Sequence, residues 1–368
     1  MRIAAGQLLI VGFDGTSLSP ELGLLLKEIQ PAGVILFARN FLNGQQTSQL
    51  LRQCQRQVRK PLFTCVDLEG GRVDRFRHLT GPAPSAADVF RTGNPSLYRK
   101  HGAIIGKICS ALGFNVNFAP VLDLALGASR KVMNSRSVSE SPDEVIASAR
   151  EFLAGLASRK VIGAGKHFPG LGEGRVDSHR HLPVIRKPFQ KLWAEDLVPY
   201  RRMRRELRMV LVGHANYPEV TRDRQPASLS KKWITDILRH KIGYRGLIVS
   251  DDLEMGGVLK AAPTAQAAVE FIGAGGDLAL VCHQQKNVEA AFEAIVKTAE
   301  RDARFRRRVA ESATRIARFK QASRELNRSV PSPAPEKISR LSAELWEFSE
   351  CVRLSSLASA TAEAETGS

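Results

Sequence analysis

Short runs of apolar and β-branched residues recur along the chain at 8–12, 33–37, 62–66, 115–118, 161–164, 209–212, 247–250 and 278–281. Runs of this length and composition read as buried strands. Between most of them lie segments that read as helices, including 47–58, 97–112, 142–158, 231–240, 265–274 and 287–300. The second follows Asn94-Pro95-Ser96 and the third follows Ser141-Pro142-Asp143-Glu144, which offer a capping side chain and a proline, the latter with acids in the first turn. Strands alternating with helices imply a parallel sheet covered by helices, and eight repeats imply α/β architecture closed into a single-domain (β/α)8 TIM barrel. An open doubly wound sheet is the alternative. Gly170-Leu171-Gly172-Glu173-Gly174 lacks the spacing of a dinucleotide fingerprint, and no helix clearly starts there.

A barrel of this kind keeps its chemistry at the carboxyl ends of its strands. The polar residues comply: Asp67 follows 62–66, Lys166 and His167 follow 161–164, His214 follows 209–212, and Asp251 follows 247–250. The segment 166–179 is the densest of these, with a lysine, two histidines, an aspartate and several glycines between apolar stretches. Glycine lets backbone approach a ligand closely, and Asp177-Ser178-His179, if extended, puts the carboxylate and the imidazole on one face. Such a pair is a proton-transfer device.

The length of 368 residues accommodates two average domains or one large barrel. Cys54, Cys65, Cys109, Cys282 and Cys351 are scattered and lack the close pairing of a zinc site or disulfide framework, so buried, reduced thiols are expected. The first residues run directly into a strand-like segment, and no run reaches the roughly 18 apolar residues of a membrane span. A soluble, cytoplasmic protein is expected, without membrane association. The excess of 54 Lys+Arg over 37 Asp+Glu, a formal charge of +17, raises the question of an anionic partner. The densest basic clusters, Arg201, Arg202, Arg204, Arg205, Arg208 and then Arg304, Arg306, Arg307, Arg308, fall in helical segments without interleaved aromatics. They are expected to be solvated helix faces, with no nucleic acid bound. The catalytic domain is expected over 1–328. Beyond it, 329–335 reads as a linker, 338–351 as a short amphipathic helix, and 355–368 as an unstructured tail.

Lys166-His167-Phe168-Pro169-Gly170 with Asp177-Ser178-His179, followed by Ser250-Asp251-Asp252-Leu253-Glu254-Met255, resembles family 3 glycoside hydrolases, and within them the single-domain bacterial β-N-acetylglucosaminidases. Gly33-Val34-Ile35-Leu36-Phe37, the segment from Val66-Asp67-Leu68-Glu69-Gly70-Gly71 to Arg75-Phe76, Asn117-Phe118-Ala119-Pro120-Val121-Leu122-Asp123 and Pro226-Ala227-Ser228-Leu229-Ser230 extend the resemblance over roughly residues 6 to 325. It implies a retaining hydrolase that removes terminal N-acetylglucosamine, with cell-wall muropeptides as substrates and no cofactor. Asp251 is the implied nucleophile. The residues agree, since neighbouring side chains on a strand end diverge and Asp252 is then left to accept backbone hydrogen bonds. The implied acid/base is His179 with Asp177 as its partner, and the implied sugar-binding residues are Asp67, Arg75, Arg136, Lys166 and His167. The chain departs from the family pattern at Leu171, where a histidine is common, and at Glu254, where a smaller polar residue is frequent. Neither touches an implied catalytic position.

Three other readings use the same residues. His167, His179, His181, His214 and Asp251 can be drawn as a metal site, although the glycosidase motifs account for them without one. A histidine acid/base does not repel anions as a carboxylate would, so phosphate could replace water and make the protein a phosphorylase. A sugar-binding protein without catalysis is the third, against which stands the presence of Asp177, His179 and Asp251 together. A monomer without metal is expected.

Overall fold

Each of the eight apolar runs becomes a strand of one parallel sheet: β1 (Leu9–Val11), β2 (Gly33–Ile35), β3 (Phe63–Val66), β4 (Val116–Asn117), β5 (Ile162–Phe168), β6 (Met209–Val212), β7 (Leu247–Asp252) and β8 (Leu278–Val281). The computed structural model describes residues 1–174, 176, 181–326 and 331–366, without the side chains of 130, 131 and 359–366. Neighbours in sequence are neighbours in the sheet, and β1 pairs with β8 to close the barrel, with Leu9 opposite Ala279 and Val11 opposite Val281. The expected (β/α)8 fold is the one observed. Leu9, Ile10, Val34, Phe63, Val116, Val210, Ile248 and Ala279 are all buried, so both faces of the strands are covered, as parallel strands require.

Two strands run past their apolar segments. β5 extends to Phe168, so Lys166 and His167 stand on the strand rather than in the loop after it, and β7 extends to Asp252, so Asp251 does the same. Backbone pairing holds these polar residues extended: the Leu122 N–H donates to the Lys166 carbonyl at 2.6 Å. The β5–β6 register shifts between Gly165 and Phe168, just where the polar pair sits.

The expected helices are present as Gly44–Gln57, Pro95–Leu112, Pro142–Ser158, Thr264–Gly273 and Gln285–Arg301, while Lys232–Lys241 winds as a π-helix. Asn43 and Asn94 cap the first two through their side chains. Ser141, by contrast, makes no side-chain cap.

The C-terminal segment differs from expectation. One helix runs from Pro335 to Thr366, taking in the short helix expected over 338–351 and continuing through the described part of the tail expected to be unstructured from 355. Leu341, Leu345, Phe348 and Val352 form a buried stripe at helical spacing against the barrel. Once that stripe has nucleated the helix, alanine- and glutamate-rich residues extend it at little cost. Phe348 stacks on the His101 ring at 5.8 Å and 19°. His101 in turn backs the hairpin Leu68–Gly70/Val73–Asp74 that follows β3. The hairpin turns at Gly70 and Gly71, with φ of +88° and +58°, and a Cβ on Gly70 would come within 2.1 Å of the Pro84 carbonyl oxygen.

Two stability predictions arise here. Phe348→Ala leaves a cavity between helix and barrel and is expected to cost about 3–5 kcal/mol in denaturant unfolding. Burial lowers the His101 pKa to about 4, so between pH 6.5 and 4 the unfolded chain binds the proton that the folded chain refuses. Stability therefore falls on acidification across that window, by at most roughly 3 kcal/mol from this group. Unfolding curves of His101→Phe should lack that part of the pH dependence; an unchanged slope would show that His101 is not its source.

Candidate active site

Six side chains that the sequence singles out line one pocket at the carboxyl end of the barrel: Asp67, Arg75, Arg136, Lys166, His167 and Asp251. They come from the ends of β3, β5 and β7 and from the loops after β3 and β4. The geometry rests on a buried carboxylate to which the family resemblance assigns no role. Glu69 receives a bidentate pair from Arg136, Nε and Nη2 each at 2.8 Å, and the Lys166 ammonium at 2.5 Å. Lys166 also donates to Asp67 Oδ1 at 2.9 Å. Burial alone would raise the Glu69 pKa, but Arg136 and Lys166 outweigh it and hold the carboxyl well below the usual range. For Lys166, burial works against the charge, and Asp67 and Glu69 more than restore it, so its pKa lies above the ordinary lysine value. Lys166 is thus favoured in its charged form.

Asp123 is the second unassigned anchor. Its Oδ2 pairs with His167 Nδ1 at 2.6 Å, and its Oδ1 accepts the Leu171 backbone N–H at 2.7 Å. With Nδ1 bound to the carboxylate, His167 directs Nε2 toward the pocket, 3.2 Å from Arg136 Nη2. Glu69 lies two residues beyond Asp67, hence on the same side of an extended segment, but its partners come from elsewhere in the chain. Arg75 places its guanidinium over the Phe37 ring at 5.6 Å.

Asp251 and Asp252 diverge as the strand geometry requires. Asp251 faces the pocket. Asp252 accepts the Glu254 N–H at 3.0 Å and pairs with His283 Nε2 at 3.0 Å. That hydrogen bond raises the His283 pKa, and the His283 ring stacks against Phe37 at 5.6 Å. Glu254 turns away to accept the His283 and Gln284 N–H groups and Asn287 Nδ2, capping helix Gln285–Arg301 from outside. This is a role a smaller side chain would not reach. Asp177 and His179, the implied proton-transfer pair, lie outside the described residues. Of the drawn metal set, His214 is fully buried, with Nδ1 on Ser228 Oγ at 2.7 Å and Nε2 on the Asp252 carbonyl at 2.8 Å. His181 stands with Lys260 Nζ at 3.0 Å. Among the described residues no three potential ligands converge on one point.

This arrangement of a strand-end carboxylate facing cations and hydrogen-bonding groups can be set beside known proteins. The profile of the glycosyl hydrolase family 3 N terminal domain matches residues 2–319. The chain belongs to glycosyl hydrolase family 3. Among relatives of this family, a beta-hexosaminidase of Idiomarina loihiensis is 33% identical over 319 residues, 86% of this chain and 93% of the relative. One of Alkalilimnicola ehrlichii is 36% identical over 291 residues, 77% and 83% of the two chains. The solved structure of a family 3 beta-N-acetylglucosaminidase from Paenibacillus sp. superposes with a TM-score of 0.88 at 29% identity, covering 95% of this chain and 68% of that one. The family 3 match ends before the C-terminal helix begins. No helix among the described residues is long and apolar enough to cross a membrane.

Proposed function

We propose that this family 3 hydrolase is a retaining exo-β-N-acetylglucosaminidase, with Asp251 as nucleophile and His179, partnered by Asp177, as acid/base. The observation that carries the reading is the placement of Asp251 in one pocket with Asp67, Arg136, Lys166 and His167. The names borne by the relatives supply the sugar. Asp67 accepts hydrogen bonds from sugar hydroxyls, and Lys166, Arg136 and the Nε2 of His167 hold hydroxyl and amide groups. In the first step an Asp251 oxygen bonds to the anomeric carbon as the glycosidic bond breaks, and His179 gives its proton to the departing oxygen. In the second, water bonds to that carbon, its proton passes to His179 and Asp251 departs with its electron pair. Muropeptides that carry N-acetylglucosamine on 1,6-anhydro-N-acetylmuramic acid are the proposed substrates, acted on in the cytoplasm by a monomer.

An aryl N-acetyl-β-glucosaminide is expected to be cleaved far faster than the corresponding glucoside, and equal rates would refute the N-acetyl preference. The same assay with added phosphate should give free sugar as the main product, whereas sugar 1-phosphate would move the chain to the phosphorylases. Rate against pH should pass through a maximum, falling when Asp251 gains a proton and when His179 loses one; a flat profile from well below about pH 5 to above about pH 9 contradicts the assignment.

A further inference from the structure

Arg304, Arg307 and Arg308 lie on a helix as the sequence suggests, Arg304 and Arg307 exposed, and they also border an open groove. The groove lies between the π-helix Lys232–Lys241 and the helix Ala303–Ala322, with a volume of about 830 Å³. Residues at helical spacing face each other across it, Lys231 and Arg239 from one wall and Arg304, Arg308 and Arg315 from the other, with Arg245 at one end. Seven lysines and arginines line the space against two carboxylates, Asp302 and Glu311.

Both carboxylates are already engaged. Asp302 caps its own helix by accepting the Arg304 and Phe305 N–H groups, and Glu311 pairs with Arg308 at 2.5 Å. Behind the wall the fully buried Asp277 takes Arg239, Arg308 and Arg315 together, three guanidinium groups on one carboxylate. Among the described residues Lys231, Arg245, Arg304 and Arg307 pair with no carboxylate. The Nε of Arg239 and that of Arg308 are buried without a partner. Like charges facing across a concave space repel, and a low-dielectric wall concentrates their field on whatever lies between them. An anion in the groove relieves that repulsion.

We propose that this groove is a binding site for a small, multiply phosphorylated anion. Arginine dominates the lining, and its planar fork matches phosphate oxygens in pairs. The volume suits a small molecule, within the roughly 300–1,000 Å³ of such sites. Phe305 is buried and the one other ring among the lining residues is the imidazole of His240, so the groove is dominated by phosphate-matching cations rather than by platforms for stacked bases. It is separate from the active site. Arg245 leads into β7 at its amino end, and Asp251 stands near the opposite end, about 20 Å along the strand at ~3.3 Å per residue.

Titration calorimetry of the full chain with inorganic triphosphate, at physiological and at high salt, tests the site. Binding is expected, weakened by salt as screening requires. Arg245→Glu with Arg304→Glu, both at exposed positions, should weaken it at least about tenfold, two charge-assisted contacts having turned repulsive. The same variant should retain its melting temperature and its rate on an aryl N-acetylglucosaminide. A nucleoside triphosphate should bind no better than inorganic triphosphate, since the phosphates make the contacts. Absence of binding by the wild type, undiminished binding by the variant, or binding of a DNA duplex in preference to triphosphate would each overturn the proposal.

Discussion

Asp251→Ala is expected to abolish turnover, lowering kcat by at least about 10⁴-fold, the scale on which loss of a covalent nucleophile falls, with little change in the melting temperature. The side chain lies at the end of β7 facing the pocket, so its removal leaves the barrel pairing untouched. Substrate should still bind, because Asp67, Arg136, Lys166 and His167 are unchanged. Added azide supplies an external nucleophile to the face that Asp251 vacates, and the expected product is the glycosyl azide of inverted configuration. Asp252→Ala should behave differently. It frees His283 and the Glu254 N–H, so it is expected to cost stability and to reduce activity far less. Comparable losses of kcat in the two variants, or full activity in Asp251→Ala, would show that the nucleophile has been placed wrongly.

Glu69→Gln is the second large effect, and it arises from charge balance rather than from chemistry at the bond. Glu69 is buried, and Arg136 and Lys166 both depend on it. The amide preserves shape but leaves Lys166 with Asp67 alone and Arg136 without its paired carboxylate, a situation that typically costs about 3–5 kcal/mol. Melting temperature should drop, and kcat/KM should fall by about 10²-fold or more as Lys166 and Arg136 move apart. The sign of the pH dependence follows from the depressed Glu69 pKa. Above the unfolded value of about 4.3 the stabilisation is complete, and it is lost as pH falls below that value toward the folded one. The variant should lack this acid-dependent loss. A variant with unaltered stability and KM would mean that the cations are held by other groups.

The barrel was legible because its strands are buried on both faces and so read as unbroken apolar runs, each bounded by polar residues. The two strands that were longer than expected carry the polar residues of the candidate site, where polarity hides a strand from any hydrophobic pattern. Asp67, Lys166, His167 and Asp251 were visible because each ends such a run. Glu69 and Asp123 act instead through partners far along the chain, 67 residues away in the case of Arg136, and only folding brings them together. The C-terminal helix was half visible. Its stripe from Leu341 to Val352 has helical spacing, whereas the small residues beyond carry no amphipathic signal of their own. The groove of facing arginines was hidden for the same reason as Glu69: each wall alone reads as a solvated face, and their opposition belongs to the tertiary structure.

The Asp123 contact to Leu171 is made to a backbone N–H, and every residue except proline has one. The carboxylate that orients His167 therefore also moors the chain as it leaves β5, by a tie indifferent to which side chain position 171 carries. The identity of that residue is thereby released from the task of keeping His167 in place. Position 171 becomes a point where the pocket's apolar lining can be altered while the groups proposed to hold the sugar keep their geometry, a natural place to retune which leaving groups are accepted.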